Sequence, residues 1–114
     1  MLITNAAIRA CELVRQLFSL KRPVTKLFGK HLKLADQIQL LQTKVFTVGV
    51  GTPNRLLKLA EAKVLDKILK DPNTIVALDV TRDVKNFNVI NHPGIREDLY
   101  QFFRTSILPS SSQE

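Results

Sequence analysis

The chain has 114 residues, 45% of them hydrophobic and 24% charged. That is enough for one small core and too little for a second domain, and it is unlike the composition of a disordered chain. A single cysteine, Cys11, excludes an internal disulfide and a cysteine-based zinc site, and no apolar run approaches the ~18 residues of a membrane span. The net charge is +7, and it is unevenly placed. Residues 1–57 carry nine Lys/Arg against Glu12 and Asp36, whereas residues 58–114 carry eight of each sign. Between Glu12 and Asp36 stand Arg15, Lys21, Arg22, Lys26, Lys30 and Lys33 with no acid among them. Such a basic surface attracts phosphates or other anions, and it also serves simply as a solvated face.

In chain order, Leu2-Ile3 reads as a short strand at an exposed edge of a sheet, a start that suggests loss or absence of something upstream. No basic region precedes it, so a secretory signal is not indicated. Ile8, Cys11, Val14, Arg15 and Phe18 recur at helical spacing among alanines, which predicts a helix over 6–20 with Cys11 as a buried thiol, ended by Pro23. A reducing compartment fits that thiol. Val24 to Phe28 reads as a strand stopped by Gly29. Leu34, Ile38 and Leu41 predict a helix over 34–43. Lys44 to Val50 is rich in β-branched and aromatic residues and reads as a strand broken by Gly49 and Gly51. Thr52 as N-cap and Pro53 as first helical residue then open a helix running to about residue 70. Asp71-Pro72-Asn73 is a turn, Ile75 to Leu78 a buried strand ending in Asp79, and 80–92 irregular. Pro93 starts a last helix with Ile95, Leu99, Phe102 and Phe103 on one face. Residues 1–108 are expected to form the domain and 109–114 a disordered tail.

Strands alternating with helices predict an α/β fold, a parallel sheet with helices on both faces. Ligands of such sheets bind at the carboxyl ends of the strands, here after Thr4, Phe28, Val50 and Asp79. The strongest local signal there is Gly49-Val50-Gly51-Thr52-Pro53-Asn54-Arg55. Two glycines would let backbone approach a phosphate, a helix N-terminus would offer N–H groups, and Thr52 and Arg55 would each reach an adjacent phosphate. The plainer reading is a flexible turn, an N-cap and a solvated arginine. Asp79 at a strand end looks like a magnesium-binding aspartate, a weak signal alone. A Walker A loop is missing: the nearest stretch, Gly29-Lys30-His31, has Val24 at the first glycine position and His31 at the hydroxyl position. His31 and His92 have no partner at metal-ligand spacing. No catalytic constellation, metal site, cofactor or small-molecule substrate is expected.

Several segments carry a resemblance. Phe28-Gly29, Gln37-Ile38 through Leu41, Val45 through Leu57 (ending Gly51-Thr52-Pro53-Asn54-Arg55-Leu56-Leu57) and Ile75 through Asp79 together resemble the first RecA-like domain of a DEAD-box RNA helicase. Ala7 to Glu12, Lys26 to His31, Val48 to Pro53, Leu78-Asp79 with Arg82-Asp83, and Pro93 to Arg96 are more similar to a non-helicase offshoot of that group, the 90S pre-ribosomal complex subunit family associated with the small-subunit processome. The match is collinear over most of residues 1–104. It implies a partial RecA-like (P-loop NTPase-like) domain lacking the Walker A strand. Val80-Thr81-Arg82 stands in place of Glu-Ala-Asp, Asn5-Ala6 in place of a threonine-arginine pair, and Asn54 in place of a glycine. The family's charged N-terminal region is not in this sequence, so a fragment, a shortened member or a partial gene model is expected.

The resemblance thus implies a noncatalytic module of small-subunit ribosome biogenesis in the nucleus and nucleolus. Its expected partners are pre-rRNA or pre-ribosomal proteins, with no membrane. The expected RNA-binding residues are Gly51, Thr52, Pro53, Arg55, Lys26, Lys30 and Lys33. The alternatives are a protein-interaction scaffold without RNA contact and a fragment of an ATP-dependent RNA helicase.

Overall fold

The structure is a computed structural model that describes residues 1–21, 23–29, 32–44 and 46–107. The expected roles of Lys30, His31 and the 109–114 tail lie outside the described residues.

Four parallel strands form one sheet: β1 (Leu2–Ile3), β2 (Val24–Leu27), β3 (Val48–Gly51) and β4 (Ala77–Leu78), in the order β2-β3-β1-β4. The expected parallel α/β class is therefore observed, but β1 is not an edge. It lies between β3 and β4, with Leu2 opposite both Val50 and Ala77. Two residues suffice for an interior strand because both neighbours pair with them and the ladder continues past Ile3, where Thr4 N–H donates to Gly51 O and Asp79 N–H to Ile3 O. β4, expected to be buried, is instead an edge strand, and Ile75 just before it is 77% exposed.

Helix α1 (Ala7–Leu17) covers one face of the sheet. Ala10, Leu13, Phe28 and Val50 form its buried cluster, with Leu2, Val24 and the half-buried Cys11 packed around them. The expected stripe through Ile8 and Phe18 is overturned, since those side chains are 68% and 83% exposed. Side-chain size decides here: the small Ala10, wholly buried against β3, lets the helix axis approach the strands, which larger side chains on that stripe would prevent. The helix ends in a single 3₁₀ turn, Phe18–Leu20, closed by Lys21 in the left-handed region at φ 54°.

The other face carries α2 (Leu34–Thr43), α3 (Pro53–Glu61), α4 (Asp66–Lys70) and α5 (Arg96–Phe102). Its core joins Ile3 and Leu27 of the sheet to Leu56 and Leu59 of α3 and to Leu99 and Phe102 of α5, with Leu65 and Val89 from the connections. Ile38 and Leu41 of α2 pack at its margin. Burying each such leucine or phenylalanine stabilises the fold by roughly 1.5–3 kcal/mol before entropy is counted.

Three expected boundaries move. The helix from Pro53 to about 70 is two helices, parted where Lys63 takes φ 64° and Val64 N–H donates back to Leu59 O. That left-handed closure normally falls on glycine or asparagine, so a lysine there left no mark in the sequence. Strand β3 begins at Val48 and includes Gly51, so the glycines lie inside the strand they were expected to break. The last helix starts at Arg96, not Pro93. His92 O accepts the N–H groups of Ile95 and Arg96, and His92 Nδ1 accepts Gly94 N–H, so 92–95 form a turn of their own. Past α5 the chain widens into a π-helical turn, Phe103–Ile107.

Candidate functional site

The carboxyl ends of β1, β2 and β3 open on one crevice of about 510 Å³. Asn5, Ala6 and Ala7 line it from the first connection, Gly29 from the second, and Thr52, Pro53, Asn54 and Arg55 from the third. Gly94, Ile95 and Asp98 close it from the start of α5. The rule that parallel sheets bind at strand ends points to this place. The contributions of Ala6, Ala7, Gly94 and Asp98 were not read from the sequence, because each is an unremarkable residue until the fold sets it beside the others.

Two helices begin at this crevice without side-chain caps. Ala6, the N-cap of α1, is extended and has no side-chain acceptor to offer. The first bond of that helix is Ala10 N–H to Ala6 O, so the N–H groups of Ala7, Ile8 and Arg9 have no acceptor among the described residues. Thr52 stands at the N-cap of α3 as expected, yet its hydroxyl does not cap. Thr52 Oγ1 donates to Asn54 Oδ1 at 2.9 Å, and the same oxygen accepts Arg55 N–H at 2.8 Å. Pro53 has no N–H, so at the start of α3 the Asn54 N–H alone has no acceptor among the described residues. Uncapped N–H groups and the aligned peptide dipoles give each end a partial positive charge suited to an anion. Among the lining residues the formal charges are one cation, Arg55, and one anion, Asp98.

Arg55 is not the solvated side chain the sequence suggested. Its Nη1 donates to Gln37 Oε1 at 2.7 Å and to Leu32 O at 3.0 Å, and the guanidinium lies close to Gly29, where a Cβ would stand 3.0 Å from Nη2. Gln37 is buried and passes the chain of bonds on, donating from Nε2 to Lys26 O and Phe28 O at 2.9 and 3.0 Å. The arginine thus ties the start of α3 to α2 and to the end of β2.

The two glycines have a packing role. A Cβ on Gly49 would meet the Phe46 ring at 2.5 Å, and one on Gly51 would meet Leu27 O at 2.8 Å and the Leu56 side chain at 2.9 Å. The spaces over both glycines are filled by protein, and Gly51, expected beside a phosphate, is buried and does not line the crevice. Of the other expected site residues, Thr52, Pro53 and Arg55 come together at the crevice. Lys26 and Lys33 do not: they line a separate groove of about 670 Å³ between β2 and α2, together with Lys44.

Asp79 at the end of β4 is fully engaged. Its Oδ2 accepts Thr4 Oγ1–H at 2.8 Å and Arg9 Nε–H at 3.0 Å, and its Oδ1 accepts Thr81 N–H at 3.3 Å. Burial pushes its pKa up, but the bonds from Arg9, Thr81 and Thr4 outweigh burial and hold it below the ordinary carboxylate value. Arg9 is further tied to Glu12 at 3.1 Å and to Thr81 Oγ1 at 3.3 Å. Beyond it, Asn5 Nδ2 donates to Phe87 O, and the Asp83 carboxylate accepts the N–H groups of Lys85 and Phe87. The irregular 80–92 segment is pinned through its own side chains. Among the described residues no three His, Cys, Asp or Glu side chains gather where they would hold a metal ion, and no helix is long and apolar enough to cross a membrane.

Comparison with known proteins places the chain in a family. The family described as CMS1, U3-containing 90S pre-ribosomal complex subunit, matches residues 1–111. Protein CMSS1 of Homo sapiens is 31% identical over 117 residues, covering 100% of this chain and 41% of that protein. Protein CMSS1 of Danio rerio is 30% identical over 112 residues, covering 96% of this chain and 38% of that protein. Protein CMS1 of Chaetomium thermophilum is 39% identical over 64 residues, covering 54% of this chain and 26% of that protein. The chain therefore spans at most about two fifths of the length of these relatives. No solved structure matches it. Collinear matching over nearly the whole chain makes this protein a member of the U3-containing 90S pre-ribosomal complex subunit family.

Proposed function

We propose that residues 1–108 form a noncatalytic ribonucleoprotein-binding module of small-subunit ribosome biogenesis. It acts in pre-ribosome assembly in the nucleolus and holds pre-rRNA through its sugar-phosphate backbone at the strand-end crevice. The family's name supplies the pre-ribosomal setting. The observation that carries the contact is the convergence of two helix N-termini on one cleft, that of α1 without any cap and that of α3 with the Asn54 N–H still unpartnered among the described residues. Backbone N–H groups recognise phosphate without regard to base, so the contact positions RNA and does not read its sequence.

The noncatalytic reading rests on Asp79. In a RecA-like nucleotidase the acid at this strand end serves magnesium; here its oxygens serve Thr4, Arg9 and Thr81. Val80-Thr81-Arg82 follows it, so no neighbouring acid is available to activate water. Freeing Asp79 for a cation would break an ion pair with Arg9 and leave the buried Thr4 hydroxyl without its acceptor.

The test is binding of the full chain to two unrelated single-stranded RNAs over a range of salt, alongside ATP with magnesium. The expected result is equal affinity for both RNAs, falling steeply with salt as phosphate contacts require, and no magnesium-dependent ATP affinity. Absence of RNA binding at low salt overturns the reading in favour of a protein scaffold. Magnesium-dependent ATP binding overturns it in favour of a nucleotidase fragment.

A further inference from the structure

The groove between β2 and α2 lies apart from the crevice. It is a second place where the molecule is chemically unfinished. β2 is an edge of the sheet. In a parallel strand each residue points its N–H and C=O to the same side, and successive residues alternate. Leu27 O accepts Thr52 N–H on the inner side, so Val24, Lys26 and Phe28 present their backbone groups outward. Gln37 takes the outward carbonyls of Lys26 and Phe28. This closes the far end of the edge, and the outward N–H groups of Val24 and Lys26 have no acceptor among the described residues.

The edge runs along a floor of Val24, Leu32 and Leu40 and is flanked by Lys26, Lys33 and Lys44 against the carboxylate of Asp36. Among the described lining residues, three lysines less one aspartate leave a net +2. A lysine on an edge strand also guards against aggregation. That purpose accounts for Lys26 but not for Lys33 and Lys44, which stand at the two ends of α2.

The geometry points to a docking site for an acidic extended peptide segment of a partner protein. The peptide adds as a short strand to the Val24–Lys26 stretch, rests its apolar side chains on Val24, Leu32 and Leu40, and sets its carboxylates against the lysines. Backbone donors supply affinity and alternate side chains supply selectivity, as in other cases of strand addition. Single-stranded RNA fits less well. Its usual platforms are aromatic side chains on which bases stack, and among the described residues no Phe, Tyr, Trp or His lines this groove.

The test uses the full chain and a fluorescein-labelled heptapeptide alternating glutamate and valine, followed by fluorescence anisotropy, with amide exchange read at Val24 and Lys26. We expect the peptide to bind, the two amides to slow in exchange, and a version with lysine in place of glutamate not to bind. Lys26→Glu with Lys33→Glu should weaken binding about tenfold, as the inversion of two exposed charges near a ligand implies. Lys33→Glu alone keeps the test sound should Lys26→Glu perturb the strand, since an acid at the start of α2 favours that helix. Equal binding of the lysine version, unchanged affinity in the charge-reversed variants, or displacement of the peptide by oligouridine would each overturn the proposal. The last would make the groove a phosphate site. A crevice variant, Ala6→Asp, should leave peptide binding unchanged, so failure here is distinct from failure of RNA binding there.

Discussion

Arg55 donates to Gln37 across 2.7 Å, and through that amide the first turn of α3 is bonded to the edge strand β2. The pair joins the groove beside β2 to the strand-end crevice. Gln37 closes part of the β2 edge, and Arg55 forms part of the crevice wall. A change at either residue therefore acts on the fold before it acts on a ligand.

Arg55→Ala should destabilise the protein by about 1.5–3 kcal/mol, the range for hydrogen bonds to a charged group, since Gln37 Oε1 and Leu32 O lose their donor. Gln37→Met should cost a similar amount, because two strand carbonyls and the guanidinium all lose a partner. Urea unfolding of the two single variants and the double should show a coupling of roughly 0.5–3 kcal/mol, as residues in one bonded network do. Strict additivity would mean that the two side chains act independently.

Gly51→Ala should destabilise by about 1–3 kcal/mol, as overpacking of a filled core does, because the added methyl meets the Leu27 carbonyl oxygen, a backbone atom held in the sheet. Gly49→Ala should cost less. Its nearest neighbours are the Phe46 ring and the Leu27 side chain, so the atoms that must give way are side-chain and not backbone atoms, and Phe46 is partly exposed. Thermal unfolding of both variants ranks them; the reverse order would mean that the Phe46 ring is the more rigid neighbour.

The glycines mark the limit of what could be read along the chain. The order of strands and helices was legible in outline, because short apolar runs rich in β-branched residues alternate with stripes at helical period and Pro53 and Gly29 punctuate them. The crevice was legible in outline, because parallel strands place their carboxyl ends together. The roles inside it were not. Gly49-Val50-Gly51 looks the same whether its bare backbone faces a phosphate or the Phe46 and Leu56 side chains. Whether Arg55 is solvated depends on Gln37, 18 residues earlier, and on Gly29 leaving room for a guanidinium. Lys26 and Lys33 seemed to flank Thr52 because the basic stretch is continuous in sequence, yet β2 and α2 form a wall that turns them to a different groove.

Stability should fall in acid partly through Asp79. Its folded-state pKa lies below the unfolded value of about 3.9. Its contribution is therefore fully present at neutral pH, begins to fade as pH drops through the unfolded value, and is gone below the folded one. Urea melts of the wild type and of Asp79→Asn should differ at pH 7 and converge toward pH 2. A gap that stayed constant over that range would mean that the loss comes from packing and not from the ion pair with Arg9.

The crevice is best tested by a change that strengthens the fold while opposing an anion. Ala6 is exposed, extended, and occupies the N-cap of α1 without a side-chain acceptor. Aspartate is among the preferred N-cap residues, because its carboxylate accepts N–H groups two and three positions on. Replacing alanine by such a residue gains about 0.5–2 kcal/mol. Ala6→Asp should therefore raise the unfolding midpoint. The same carboxylate takes up the free N–H groups of α1 and sets a negative charge in the wall of the crevice. If RNA phosphate binds there, affinity for unrelated single-stranded RNAs should fall together, with the largest loss at low salt where repulsion is least screened. Ala6→Ser supplies a neutral cap and should gain stability with a smaller loss of binding. Most variants that impair binding also impair folding; in this pair the two effects have opposite signs. A more stable Ala6→Asp protein that binds RNA as tightly as the wild type would remove the α1 N-terminus from the contact and with it the crevice as the RNA site.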